Sequence, residues 1–187
     1  MLLLLIRLVM MENKTHPNDH LLMKWGSVFF FIGITPIFII FYFNNISDSD
    51  TLFIIYEKIK NTPSTYASTY PIISKLSFFY CKLSPLMSLL FFIFCYRKLT
   101  IVNTVSLNKL IINIIIPCLV LTTISLYVLY FYNTDISDSG WKILKNISNN
   151  KHLLFSYYVL IFLGYYIWLF VFLIACVYFP FNLKVDN

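Results

Sequence analysis

The chain has 187 residues, of which 59% are hydrophobic and only 12% are charged, and its mean hydropathy is +0.78. These residues include too few polar side chains to cover the surface of a water-soluble domain, so we expect a membrane protein. The formal net charge of +6 could suggest a nucleic-acid ligand. The basic residues, however, lie in separate polar segments and form no continuous stripe, which argues against that class of function.

Four apolar stretches are long enough to cross a bilayer, which takes about 20 helical residues. They cover residues 26–43, 76–96, 110–132 and 153–179. Runs of consecutive isoleucines in the third stretch do not alternate as the strands of a membrane barrel do, and an isolated span can satisfy its backbone only as a helix. The sequence therefore predicts an all-α, polytopic membrane protein with a bundle of four transmembrane helices. We expect residues 1–187 to form a single membrane domain.

The amino end does not resemble a secretory signal. Met1–Val9 is apolar, but Arg7 lies within it, no basic segment precedes it, and no small-residue cleavage site follows. Met10 and Met11 offer alternative starts, in which case residues 1–10 would be an over-extended reading frame. The first span would then act as an uncleaved signal anchor.

Lysine and arginine residues predict the orientation of the bundle. Of the 14 basic residues, seven fall on each side of a four-span arrangement, so the total gives no preference. The positive-inside effect is strongest at helix ends in short segments, where four of the residues on one side lie. They are Lys24, Arg97, Lys98 and Lys109. We therefore expect both termini in the cytoplasm and the segments 44–75 and 133–152 on the outer side.

Residues that carry catalysis or bind metals are scarce. His16, His20 and His152 lie in polar segments, without a second ligand at helical spacing within a span. The four cysteines lie singly in apolar stretches, as small packing residues do. With four glycines, the chain has little material for a phosphate-binding loop. We therefore expect a protein that is not an enzyme, with no catalytic residue, metal, cofactor or small-molecule substrate.

Lys82 is the one formal charge inside the four apolar stretches. At about 1.5 Å per residue it lies about 9 Å inside the outer end of the second span, where an ionisable group needs an explanation. In one interpretation its stem lies along apolar surface and its ammonium reaches the headgroups, with Ser84 and Pro85 suiting a helix start. In the other, Lys82 marks a recognition face together with Tyr80 and Ser84.

The fourth span concentrates aromatic side chains around Gly164. Tyr165, Tyr166 and Trp168 lie too deep for the aromatic belt at a membrane interface. Packing inside the bundle is the first explanation for them. The second is an aromatic ridge that faces a partner, because aromatic side chains are enriched where proteins bind one another.

Two patches in the first half of the chain resemble a known family. In order, they hold Ile32-Gly33-Ile34-Thr35-Pro36, then Pro63-Ser64, Ser68, Pro71, Lys75, Tyr80-Cys81-Lys82, Pro85 and Arg97-Lys98-Leu99. These residues are similar to the corresponding stretches of colicin A-type immunity proteins, small inner-membrane proteins that protect a producing cell from its own pore-forming bacteriocin. Beyond Leu99 the resemblance is carried by the number of spans and the loop lengths.

The resemblance implies bacteriocin immunity. The protein would lie in the bacterial inner membrane as a multi-pass protein, with the lipid bilayer as one partner and no nucleic acid. It would bind the inserting pore-forming domain of a cognate toxin and prevent channel opening. The toxin-binding residues that we predict are Lys82, Tyr80, Ser84, Tyr165, Tyr166 and Trp168. The alternative is a small membrane subunit or transporter component of unknown substrate, although transporters usually carry broken helices or deep carboxylates at the midplane.

Overall fold

The computed structural model describes residues 17–46, 50–98 and 111–181. Within these ranges the chain is mostly helical, and four helical segments are long and apolar enough to cross a membrane. They are Lys24–Phe43, Pro71–Cys95, Ile112–Phe131 and Lys151–Tyr178. The predicted four membrane-capable helices are confirmed. The alternative starts at Met10 and Met11, and the basic residue Lys109, lie outside the described residues.

Helices and strands are numbered here in chain order. The elements are α1 (Pro17–Ile46), α2 (Asp50–Ile59), β1 (Thr65–Tyr66), α3 (Pro71–Cys81), α4 (Ser84–Cys95), a 3₁₀ turn (Tyr96–Lys98), a π-helical turn (Ile111–Ile115), α5 (Ile116–Phe131), β2 (Thr134–Asp135), α6 (Lys142–Asn149), α7 (Lys151–Leu173), a second π-helical turn (Ile174–Tyr178) and α8 (Phe179–Phe181). The second span consists of α3 and α4, and it begins at Pro71, five residues before the predicted start.

The core of the bundle forms around α7, which contacts the other three spans. Leu154, Tyr158 and Phe162 recur every four residues along α7 and are completely buried. Ile37 from α1 and Leu129 from α5 are equally buried and belong to the same cluster. The fourth span is therefore the central helix against which the others pack.

The second span packs on α7 and carries a heptad repeat of small, buried side chains. Six serine and cysteine residues occupy two positions of this repeat, and each is 1% exposed or less: Ser74, Ser77, Cys81, Ser84, Ser88 and Cys95. Small residues let helix backbones approach closely in a membrane. Accordingly, Cys81 Sγ lies 3.4 Å from the Tyr158 carbonyl oxygen. A search of the sequence for small residues does not find this repeat if it considers only glycine and alanine.

The first span meets α7 at Gly33. A Cβ atom placed at Gly33 would lie 2.7 Å from Cζ of Phe162, whose side chain is fully buried. The absence of a side chain at Gly33 therefore permits the close approach of α1 and α7. Next to Pro36 in the same helix, Thr35 Oγ1 donates to the Phe31 carbonyl oxygen at 2.8 Å. This packing gives a physical reason for the glycine in the first-span patch.

The segments that flank the second and third spans meet in a two-stranded parallel sheet. Thr65 pairs with Thr134, and Tyr66 pairs with Asp135. The Ile136 amide donates to the Tyr66 carbonyl oxygen at 2.8 Å. The two segments therefore share one end of the bundle. The sheet was not predicted, because strands of two residues carry no alternating pattern.

Candidate functional site

Lys82 lies between α3 and α4, close to the end of the bundle formed by residues 60–70 and 132–150, which we call the paired-loop end. The Leu83 amide donates to the Tyr80 carbonyl oxygen at 2.9 Å, so a tight turn joins the two helices. Lys82 Nζ donates to the Pro63 carbonyl oxygen at 2.7 Å and lies 3.4 Å from that of Tyr130. Its ammonium thus connects the second span to the segment before β1 and to the third span.

Tyr130 makes a second contact with Lys82, in which the tyrosine hydroxyl donates to the Lys82 carbonyl oxygen at 2.8 Å. Lys82 Nζ also lies 5.8 Å from the centre of the Phe78 ring and 5.9 Å from that of the Tyr130 ring. These are distances at which a cation and an aromatic face still attract weakly. The ammonium therefore has acceptors within the protein, which neither interpretation of Lys82 included. Its contact with a toxin stays a prediction.

Asp135, in β2, links the two segments of the paired-loop end. Its Oδ1 accepts from the Ser137 amide at 2.8 Å and from the Ser68 amide at 3.2 Å. Burial acts to raise the pKa of this carboxyl, but the hydrogen bonds from Ser137 and Ser68 outweigh it, so the pKa lies below its ordinary value. From α7, the Tyr158 hydroxyl donates to the Thr65 carbonyl oxygen at 3.1 Å. The sheet is thereby bonded to the central helix.

Tyr165 and Trp168 connect the fourth span to the third. The Tyr165 hydroxyl donates to the Ser125 carbonyl oxygen at 3.2 Å, and Trp168 Nε1 donates to Thr122 Oγ1 at 3.1 Å. A buried tyrosine or tryptophan usually needs such a partner for its polar atom. Both bonds favour the first explanation of these aromatic residues, which is packing within the bundle.

Tyr80, Ser84 and Tyr166 lie against or inside the core. The rings of Tyr80 and Tyr166 are each nearly parallel to that of Phe162, with centroid distances of 5.8 and 6.4 Å. Ser84 is fully buried and donates to the Cys81 carbonyl oxygen at 2.7 Å. The Tyr166 hydroxyl is buried without a hydrogen-bond partner among the described residues. The structure thus divides the six predicted site residues between the paired-loop end, the core and the contact between α5 and α7.

A groove of about 260 Å³ opens between α5 and α7. It is lined by Ser125, Ile161, Gly164, Tyr165 and Trp168. A Cβ atom placed at Gly164 would have no neighbouring atom within 4 Å, whereas at the other two helical glycines it would meet a phenylalanine ring. Glycine in a helix costs about 1 kcal/mol relative to alanine. Gly164 is therefore not required for packing within the described chain, and it leaves the backbone of α7 open to an approaching group.

The described part of the chain contains no group of three or more histidine, cysteine, aspartate or glutamate residues that could hold a metal ion. The polar atoms of the groove are instead hydroxyl, indole and backbone groups, and the Tyr165 hydroxyl and the Trp168 indole nitrogen already donate to the third span. Sequence reasoning had identified Tyr165 and Trp168 from their depth in the span. It missed Ser125, which lies on a different span.

Comparisons with known proteins identify relatives. The family model described as colicin immunity protein matches residues 48–184, a range that begins after the patch around Gly33. The chain is 28% identical over 149 residues to the colicin-A immunity protein of Citrobacter freundii, covering 76% of this chain and 82% of that protein. It is 30% identical over 131 residues to the colicin-B immunity protein of Escherichia coli, covering 70% and 74%. No solved structure matches the chain. Because the family model covers well over half of its residues, the chain belongs to the colicin immunity protein family.

Proposed function

We propose that this protein confers immunity to a pore-forming bacteriocin by binding the toxin's inserting domain within the bacterial inner membrane and keeping its channel closed. Membership of the colicin immunity family supports bacteriocin immunity, and favours it over a transporter subunit. The four membrane-capable helices support a multi-pass membrane protein. The observation that carries the mechanism is the groove at Gly164, since it offers a partner helix direct access to the backbone of α7.

A binding protein can supply the energy that this mechanism needs. Shifting a channel from 99% open to 99% closed takes about 5.5 kcal/mol of differential binding. A polar contact between helices inside a membrane contributes about 0.6 to 2 kcal/mol, and close packing at small residues adds to it. A few contacts along one helix therefore suffice, and the mechanism requires one bound toxin and no catalytic turnover.

We place both termini in the cytoplasm and the paired-loop end in the periplasm. Lys24 near the start of the first span and Arg97 at the end of the second are both exposed. Basic residues that flank spans in this way favour the cytoplasmic side. A toxin that arrives from the periplasm would then meet the paired-loop end first and reach the groove as it inserts.

The six predicted toxin-binding residues contribute differently to this proposal. Tyr165 and Trp168 line the groove, where they would contact the inserted toxin helix. Lys82 lies near the paired-loop end. Tyr80, Ser84 and Tyr166 pack within the bundle, from where they would act by holding the second and fourth spans in place.

The groove can be tested by filling it. Gly164→Phe directs a ring into the groove from a Cβ position that has no neighbouring atom within 4 Å, so we expect normal insertion and normal membrane levels but loss of protection against the cognate toxin. Ile93→Phe is the matched control, because Ile93 is 63% exposed on another span and its enlargement leaves the groove open. Both variants are compared by cell survival under toxin and by quantified membrane protein. Full protection by Gly164→Phe would exclude the groove as the binding site.

The mechanism can be tested by comparing toxins that kill in different ways. Sensitive cells that express this chain should survive the cognate pore-forming bacteriocin and remain sensitive to a bacteriocin that kills as a nuclease. Potassium efflux after addition of the pore-forming toxin should be suppressed, because the channel itself is held closed. Survival with undiminished efflux would contradict a block at the channel.

A further inference from the structure

The short helix α6 has an apolar side and a basic side. At about 100° per residue, Ile143, Leu144 and Ile147 share one arc, and Lys142 and Lys145 lie on the opposite arc. Leu144 and Ile147 pack against the core cluster of the bundle. Ile143 continues the same apolar arc but is 70% exposed. The apolar side of α6 is therefore wider than the surface that the bundle covers.

The connections of α6 place it at the end of the fourth span. Asn150 alone separates α6 from α7, and its Oδ1 caps α7 by accepting from the His152 and Leu153 amides at 3.0 and 3.2 Å. At the C-terminal end of α6, the Ser148 carbonyl oxygen accepts from Thr69 Oγ1. The C-terminal end of α6 is thus fixed beside the start of the fourth span.

The exposed side chains of this segment are those typical of a membrane interface. Trp141, which precedes α6, is 74% exposed, the highest value among the large hydrophobic side chains that the structure describes. Lys142 and Lys145 form no ion pair with any described residue. The salt bridge in the described part of the chain joins Lys60 and Glu57. The helix itself contains no acidic residue. Tryptophan at the boundary and lysine toward the headgroups are the usual arrangement in an interfacial helix.

We propose that α6 lies in the lipid–water interface and binds anionic phospholipid headgroups through Lys142 and Lys145, with Trp141 and Ile143 inserted among the upper acyl chains. The proposal rests on the insertion of the four spans into a membrane. Lysines close to an anionic leaflet are attracted to it, and an exposed indole ring lowers its free energy at headgroup level. A surface reserved for a protein partner would instead leave Trp141 in water until that partner bound.

The test uses the full-length chain with Trp25→Phe and Trp168→Phe, which leaves Trp141 as the sole tryptophan of the three. The protein is reconstituted into phosphatidylcholine vesicles with and without phosphatidylglycerol. We expect lipids brominated close to the glycerol backbone to quench Trp141 about twofold more than lipids brominated at the chain ends, as for an interfacial indole. This interfacial quenching should be stronger in vesicles that contain phosphatidylglycerol than in phosphatidylcholine alone. The combined variant Lys142→Gln, Lys145→Gln should lose that increase. Lys58→Gln, the same change on α2, should keep it.

Two results would overturn the proposal. Water-like emission with efficient acrylamide quenching in both kinds of vesicle would place Trp141 outside the membrane. A change that appears only after a purified pore-forming domain is added would make the segment a protein-docking surface. The measurement uses no toxin in its first stage, so its outcome is separate from the outcome of the immunity tests.

Discussion

Lys82 and Tyr130 are joined by two contacts: the lysine ammonium lies 3.4 Å from the tyrosine carbonyl oxygen, and the tyrosine hydroxyl donates to the lysine carbonyl oxygen at 2.8 Å. The same ammonium donates to the carbonyl oxygen of Pro63. The second span, the third span and the segment before β1 are therefore held at one point. This arrangement gives Lys82 a role within the fold, whether or not it also contacts a toxin.

Replacing Lys82 separates these two roles. Lys82→Met keeps the stem but removes the donors, so we expect a loss of about 1 to 2 kcal/mol in the free energy of unfolding in detergent micelles. Lys82→Arg keeps a charged donor and should lose less. Unfolding curves and survival under toxin are measured for both variants. Normal stability combined with lost protection in Lys82→Met would assign the side chain to direct toxin contact.

Tyr130→Phe tests the other half of the pair. It removes the hydroxyl that donates to the Lys82 carbonyl oxygen, and we expect a loss of about 1 kcal/mol in the free energy of unfolding. Tyr127→Phe is the matched control, because Tyr127 is 62% exposed on the same helix. Equal stability of the two variants in the same micelles would show that the Tyr130 hydrogen bond contributes nothing.

Gly33 and Gly164 should respond in opposite ways to the same substitution. Gly33→Ala forces a methyl group against the buried Phe162 ring, and we expect a destabilisation of about 1 to 3 kcal/mol from overpacking. Gly164→Ala meets no neighbouring atom, and it should be neutral or stabilise the helix by up to about 1 kcal/mol. Thermal unfolding of the two variants in one detergent gives the comparison. A stable Gly33→Ala protein would mean that α1 shifts away from α7 at little cost.

Asp135 predicts a dependence of stability on pH. Because its pKa in the folded protein lies below the ordinary value of 3.8, the ionised carboxylate stabilises the paired-loop end at pH values above about 4. This contribution is lost as the pH falls through the folded pKa. The difference in stability between the wild type and Asp135→Asn should therefore be largest near neutral pH and shrink below about pH 4. A difference that stays constant from pH 7 to pH 3 would contradict this assignment.

The orientation can be measured with fused reporters. Because Lys24, Arg97 and Lys98 lie at span ends on one side, fusions after Lys24, Lys98 and Lys184 should report the cytoplasm. Fusions after Ile55 and Asn146 should report the periplasm. A periplasmic signal after Lys98 would require an inverted bundle.

The spans could be predicted from sequence because length and hydropathy are local properties, and lipid leaves an isolated span no alternative to a helix. The acceptors of Lys82 could not be predicted in this way. Pro63 and Tyr130 lie 19 and 48 residues away, and they accept through backbone oxygens, which every residue carries. The heptad repeat of serine and cysteine was present in the sequence, and the period could have been recognised without the structure.

The aromatic residues of the candidate site were predictable only in part. Tyr165 and Trp168 were identified by their depth, but their partners, Ser125 and Thr122, lie on the third span about 40 residues earlier. The open space beside Gly164 depends on how α5 and α7 cross, which no local pattern encodes. The depth of an aromatic residue in its span could therefore be predicted from the sequence, and its partner on another helix could not.

The pairing of β1 with β2 limits how toxin specificity can be exchanged between relatives. A chimera that receives only residues 133–152 from another immunity protein would present a foreign β2 to the native β1, and the bonds from Ser68 to Asp135 would depend on a chance match. Grafting residues 60–70 together with residues 132–150 carries both halves of the sheet into the new host. The two loops therefore have to be exchanged together, although more than 60 residues of chain separate them.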